Sequence, residues 1–236
     1  MTLTFSHDRV LALVAHPDDA ELLCAGTLAR ARDDGAAIAI CVLCRGDKGQ
    51  PARPIPNLAG VRRREMAAAA RLLKAETFSV GVPDSTLCDD RETRRKVTEV
   101  FRRFRPTLVL AHAPEDYHPD HRAAGALAEA ASWHCASRGY KTKSPALPAA
   151  PALWWMDTIG LSGFEPGFFI DVSPFLSLKE QMLRCHRSQL ARATDRDFSP
   201  LTELMRQQCQ TRGLQSGVAA AEAFRIHSAF KRARAW

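Results

Sequence analysis

Residues Val10–Asp19, VLALVAHPDD, set six apolar residues directly against a histidine, a proline and two aspartates. An apolar run without polar alternation is the pattern of a strand buried on both faces, as in a parallel sheet covered by helices. The proline suits the first position of a helix, and Ala20–Asp34 continues as one, ended by Gly35. The opening of the chain therefore reads as strand, polar turn, helix.

Outward from there the same unit recurs. Ala36–Leu43 and Thr77–Val80 read as strands, Val61–Lys74 as a helix between them. Arg91–Arg105 is a helix stopped by Pro106, Thr107–Ala111 a fourth strand, and Pro119–Ser137 a further helix. Short apolar strands alternating with helices predict one α/β domain over residues 1–236, a three-layer α/β/α Rossmann-like fold with a mostly parallel sheet. Lys141–Ala152 reads as a proline- and alanine-rich connection, Leu153–Asp157 and Phe168–Val172 as strands, Pro174 to about Leu190 as a helix, and Phe224–His227 as a possible strand. Arg45–Gly60, rich in glycine and proline, is a long loop of the kind that covers active sites.

Composition narrows the function classes. The apolar run at Val10–Ala15 is far too short to span a bilayer, and nothing at the N-terminus resembles a signal peptide, so no membrane association and a cytoplasmic location are expected. Lysine and arginine number 33 against 26 acidic residues, an excess that raises the question of nucleic acid. Much of it sits in RETRRKVTEVFRRFR, where Val97, Val100, Phe101 and Phe104 form an apolar stripe and the arginines a solvated face, so no nucleic-acid partner is expected. The seven cysteines lack framework spacing. Cys41-x-x-Cys44 is a spacing that suits redox chemistry or metal binding, but without a second C-x-x-C, and at the end of an apolar strand, the two read better as small buried hydrophobes.

The chemistry lies in two turns built alike. His16-Pro17-Asp18-Asp19 follows the first strand, and His118-Pro119-Asp120-His121 follows the fourth. In a doubly wound sheet of the usual order these strands are neighbours where the winding reverses, and ligands bind at their C-terminal ends. Three imidazoles and three carboxylates would then converge on one cleft, a mixed nitrogen and oxygen set that suits Zn²⁺. Helix capping accounts for single aspartates at such positions but not for three histidines beside them. The first turn lacks the glycines that cradle a dinucleotide, and no G-x-S-x-G elbow supplies a nucleophile.

At these residues the chain resembles the LmbE-like deacetylases, also called the PIG-L family, zinc-dependent de-N-acetylases of the N-acetylglucosamine type. The likeness rests on AHPDDAELLCAGTLA (Ala15–Ala29), LCRGDKG (Leu43–Gly49) and Arg62–Glu65. It continues in GVPDSTL (Gly81–Leu87), PEDYHPDH (Pro114–His121) and FIDVSPFLSLKEQMLRCHRSQ (Phe169–Gln189). The resemblance implies His16, Asp19 and His121 as zinc ligands and Asp18 as the general base. It implies His118 as the group that steadies the oxyanion or protonates the leaving amine, and Asp47, Arg62 and Asp84 as the grip on the sugar. Asp120 is expected to orient a histidine. A small N-acetylated sugar is the expected substrate, with a non-sugar amide or a catalytically silent binding module as the alternatives. A homo-oligomer is possible. Where the family often has Gly-Gly this chain has Ala25-Gly26. His112, Tyr117, His186 and Trp154–Trp155 receive no role from the sequence.

Overall fold

The computed structural model describes residues 4–193, 195 and 200–229. Seven strands form one sheet in the order β3-β2-β1-β4-β5-β7-β6. They are β1 (Arg9–Val14), β2 (Ala37–Cys44), β3 (Glu76–Val82), β4 (Leu108–His112), β5 (Ala152–Met156), β6 (Phe168–Asp171) and β7 (Ala221–Ile226). The first five run parallel, and β7 is antiparallel to both of its neighbours. β1 pairs with β4, Val10 opposite Leu108 and Leu13 opposite Ala111, so the winding reverses between the two strands that carry the histidine turns.

Alternate residues of the same strands feed two cores. Val10, Ala12 and Val14 join one apolar layer, with Leu28, Met66, Met182 and Met205, while Leu11, Leu13 and Ala15 join the other, with Val97, Phe101 and Leu127. The first layer holds helices α1 (Asp19–Leu23), α2 (Ala25–Asp33), α3 (Leu58–Leu73), α6 (Leu176–Leu183) and α8 (Leu201–Ser216). The second holds α4 (Arg91–Phe104) and α5 (Pro119–His134). This is the three-layer arrangement expected of strands apolar on both faces. Trp154 and Trp155, adjacent on β5, are buried one in each layer. Neither lines the candidate site described below.

Three expectations about helices need correction. The segment Ala20–Asp34 is two helices, broken at Cys24 (φ −147°). The carboxylate of Glu222 on β7 accepts the N–H groups of Gly26 (2.9 Å) and Thr27 (2.7 Å), capping α2 from the far end of the chain. Lys179 of α6 donates to the Leu22 carbonyl (3.1 Å) and pairs with Glu222, so the break is held from both sides. The helix expected from Pro174 to Leu190 is a 3₁₀ turn (Ser173–Phe175), α6 and a short α7 (Arg187–Leu190). On α4 one arginine is not solvated: Arg102 is 5% exposed and donates to the carbonyls of His134, Cys135 and Ser137 at the end of α5, where a cation opposes the helix dipole.

Candidate active site

His16 leaves the end of β1, and α1 begins three residues later. The turn is tight enough that Asp18 adopts φ +104°, a conformation that side chains other than glycine rarely take. Asp18 does not cap α1 with its side chain. Its Oδ2 instead accepts Arg62 Nη2 at 2.8 Å, and the same nitrogen bonds the Pro17 carbonyl. Asp19 turns back, its Oδ2 accepting the His16 N–H at 2.7 Å. Asp120, in the first turn of α5, accepts His16 Nε2 (3.0 Å) and the Ser85 N–H (2.8 Å), and α5 is capped by His118 Nδ1. All three aspartates have tertiary or turn partners in place of the helix caps.

The resulting cluster is polarised. His16 Nδ1 lies 3.6 Å from one oxygen of Asp19, and His121 Nε2 lies 3.4 Å from the other. The outer nitrogens are held by carboxylates, His16 Nε2 by Asp120 and His121 Nδ1 by Asp116 (3.0 Å). A carboxylate behind each imidazole is the arrangement that fixes a metal-binding ring and raises its basicity. Burial opposes charge on His16 and His121, but the surrounding carboxylates outweigh it and raise both, His121 to about 9. Asp19 resists burial in the same way and is held well below the usual carboxylate range by His121, His112 and His16. A site that stabilises positive charge on two rings around one ionised carboxylate suits a cation among those three residues.

Two neighbours are electrically different. Burial pushes the Asp18 carboxyl up, offset only in part by Arg62 and His186. Burial and the adjacent rings His121 and His16 lower His118, which favours its neutral form. Since the Asp120 N–H donates to His118 Nδ1 (3.1 Å), the neutral ring carries its proton on Nε2. His112, fully buried, is pushed down to about 4, first by burial and then by His121, and packs flat on His121 with centroids 4.0 Å apart.

His16, Asp18, Asp19, His118 and His121 all line one cavity of about 560 Å³, with Arg62 and Asp84 also in its wall. Arg62 is only 4% exposed, so its bond to Asp18 is no ordinary surface salt bridge. Asp84 accepts the N–H groups of Gly46 (2.7 Å) and Lys48 (3.0 Å). Asp47 is not among the lining residues; its carboxylate accepts the Asp84 N–H (2.9 Å) and supports that wall from behind. Tyr117 is 60% exposed at the cavity, whereas His186 is buried with its Nε2 3.2 Å from Glu21. Leu22, Ile159, Leu201 and Leu204 add an apolar wall, and Lys48, Gln189 and Arg192 a polar one. The sequence gives no warning of Asp116, Ser85, Gln189 or Arg192. Asp116 lies within PEDYHPDH, but its spacing to His121 acquires meaning only once the loop after β4 has folded.

The family model described as GlcNAc-PI de-N-acetylase (PIG-L) matches residues 11–132, just over half of the chain and both histidine turns. The chain belongs to the PIG-L family. The family is metal-dependent, and the clustered histidines and aspartates here supply a place for an ion. Diacetylchitobiose deacetylase of Thermococcus kodakarensis is 29% identical over 194 residues, 77% of this chain and 70% of that protein. A second relative, 4-oxalmesaconate hydratase of Pseudomonas putida, is 26% identical over 189 residues, 76% of this chain and 73% of its own. The solved N,N'-diacetylchitobiose deacetylase of Pyrococcus horikoshii matches with a TM-score of 0.81 and 25% identity, covering 93% of this PIG-L chain and 83% of that one. No helix among the described residues is long and apolar enough to cross a membrane.

Proposed function

We propose that this PIG-L protein is a Zn²⁺-dependent N-deacetylase acting on a small N-acetylglucosamine-like substrate. The observation that carries the reading is the different placement of two adjacent aspartates. Asp19 sits between two imidazoles, while Asp18, held by Arg62, faces the same cavity outside that cluster. Binding an ion requires only the first; deacetylation requires a base beside it.

His16 Nδ1, Asp19 and His121 Nε2 would hold the ion, a nitrogen and oxygen set that suits Zn²⁺ with a position left open. When bound, the ion supplies Lewis acidity, lowering the pKa of water and polarising the acetyl carbonyl. Asp18 accepts the proton of the attacking water, and its raised pKa brings a carboxylate base closer to neutral pH. His118, with its proton on Nε2, donates toward the carbonyl oxygen as that oxygen gains charge. The proton taken by Asp18 leaves with the departing nitrogen, so amide and water become acetate and free amine. Asp84 and Arg62 supply fixed polar contacts for sugar hydroxyls, with Asp47 and Asp120 as supports for Asp84 and His16.

The hydratase relative makes water addition to an activated double bond the second reading, since a base beside a cation serves that chemistry also. The test offers purified protein N-acetylglucosamine and N,N'-diacetylchitobiose, with an unsaturated dicarboxylic acid as the other arm. Acetate and amine should appear stoichiometrically. Asp18→Asn should keep its zinc and lose about 10²–10⁴-fold in rate, whereas Asp19→Ala should lose its zinc. Hydration of the alkene without acetate release from any N-acetyl sugar would replace the deacetylase reading. We read residues 1–236 as one domain. Seven cysteines without a disulfide fit the reducing cytoplasm.

A further inference from the structure

Cys44 ends β2 and is 1% exposed. Its Sγ, a ring nitrogen of His16 and a carboxylate oxygen of Asp120 lie within 4.8 Å of one another. This group is distinct from the cluster around Asp19. His16 presents Nδ1 to Asp19 and Nε2 to Asp120, so the two nitrogens serve opposite sides of one ring. His16 lines the 560 Å³ cavity, whereas Cys44 lines a second one of about 270 Å³, together with Pro17, Arg45 and Met66.

We propose that His16 Nε2, Cys44 Sγ and Asp120 form a second cation site, back to back with the first and selective for thiophilic divalent ions such as Zn²⁺, Cd²⁺ or Co²⁺. Thiolate with imidazole selects soft or borderline ions over Mg²⁺ and Ca²⁺, which prefer oxygen alone. A tetrahedral ion with bonds of about 2.0–2.3 Å places its donors roughly 3.5 Å apart, so closing this group needs shifts of about 1 Å. Asp120 is already fixed for the purpose by the Ser85 N–H. On binding, the Cys44 thiol and His16 Nε2–H each release a proton to solvent, and His16 becomes an imidazolate between two ions. The Nε2–H bond from His16 to Asp120 is thereby replaced by coordination of both groups to the ion.

The test uses full-length protein loaded with one equivalent of Zn²⁺ and titrated with Co²⁺. A thiolate-to-cobalt charge-transfer band should rise in the near ultraviolet with the second equivalent, and should vanish in Cys44→Ser and Cys44→Ala while one equivalent of metal remains bound. The remaining cysteines stand outside every cluster of potential ligands found among the described residues. Absence of the band at saturating Co²⁺, or its persistence in both variants, overturns the proposal. If neither variant folds, X-ray absorption on wild-type protein with two equivalents of Cd²⁺ decides: one sulfur neighbour per two ions supports the site, and none refutes it. Neither readout involves substrate, so failure here and failure of the deacetylase reading are separable.

Discussion

Replacing Arg62 by methionine tests the role proposed for Asp18 as a base. Arg62 is 4% exposed and bonds Asp18 Oδ2 at 2.8 Å as well as the Pro17 carbonyl. Methionine keeps much of the apolar stem and removes the charge, leaving a buried carboxylate without its partner. Breaking a buried pair from one side costs about 3–5 kcal/mol, most of it the unpaired charge. At this chain length each kcal/mol lowers Tm by about 2–4 °C, so a fall on the order of 10 °C is expected. The pH dependence identifies the cause. Asp18 is raised above its ordinary value by burial although Arg62 pulls it down, so removing Arg62 raises it further. A carboxyl with a raised folded-state pKa stabilises the native protein below its unfolded pKa, and that contribution is lost as pH rises through the folded value. The Arg62→Met penalty must therefore be largest at neutral pH and shrink as Asp18 takes up its proton. Urea melts of chelator-treated protein at neutral and mildly acidic pH measure this without interference from metal release. Combining Arg62→Met with Asp18→Asn should recover much of the loss, and the acid limb of kcat in Arg62→Met should move to higher pH. An equal penalty at both pH values, with simple additivity in the double variant, would show that Arg62 acts through packing and leaves Asp18 indifferent.

Two further outcomes follow from the same contacts. Asp116→Ala removes the acceptor behind His121 Nδ1 and should weaken primary-site metal affinity about 10–100-fold, measured by competition with a chromophoric chelator; unchanged affinity would remove Asp116 from the site. Gly26→Ala places a methyl 2.6 Å from the Val172 side chain and 3.0 Å from Glu222, so urea titration should show a loss of about 1–3 kcal/mol; wild-type stability would mean that α2 can move away freely.

The sheet was legible because its central strands are short apolar runs buried on both faces and bounded by turn residues, too short for core helices. The pairing of the two histidine turns followed from topology once strands one and four were taken as neighbours, and Val10 opposite Leu108 bears that out. The helix α8 was missed for a physical reason. Its buried side includes Gln208 and Arg212, which read as solvent-facing until Arg212 meets Asp157 (2.6 Å) and Gln208 meets the Thr158 carbonyl (3.1 Å).

By itself the sequence determined which chemical groups are available and at which ends of which strands they emerge. Hydrophobic periodicity is local, and a proline after a histidine fixes a turn within a few residues. Which oxygen, nitrogen or sulfur meets which partner was decided by tertiary structure alone. Residues 20–34 are helix-compatible throughout, yet Glu222, from the last strand, captures the N–H groups of Gly26 and Thr27 and divides them into two helices. Cys44 reads as a buried hydrophobe from its strand and becomes a potential ligand only because α5, far along the chain, brings Asp120 beside it. Asp47 and Asp84 look equivalent in sequence, but one lines the cavity and the other supports it through a single backbone N–H. Polar contacts act over about 3 Å and depend on direction, so they are set by packing between elements distant in sequence, which no local pattern records.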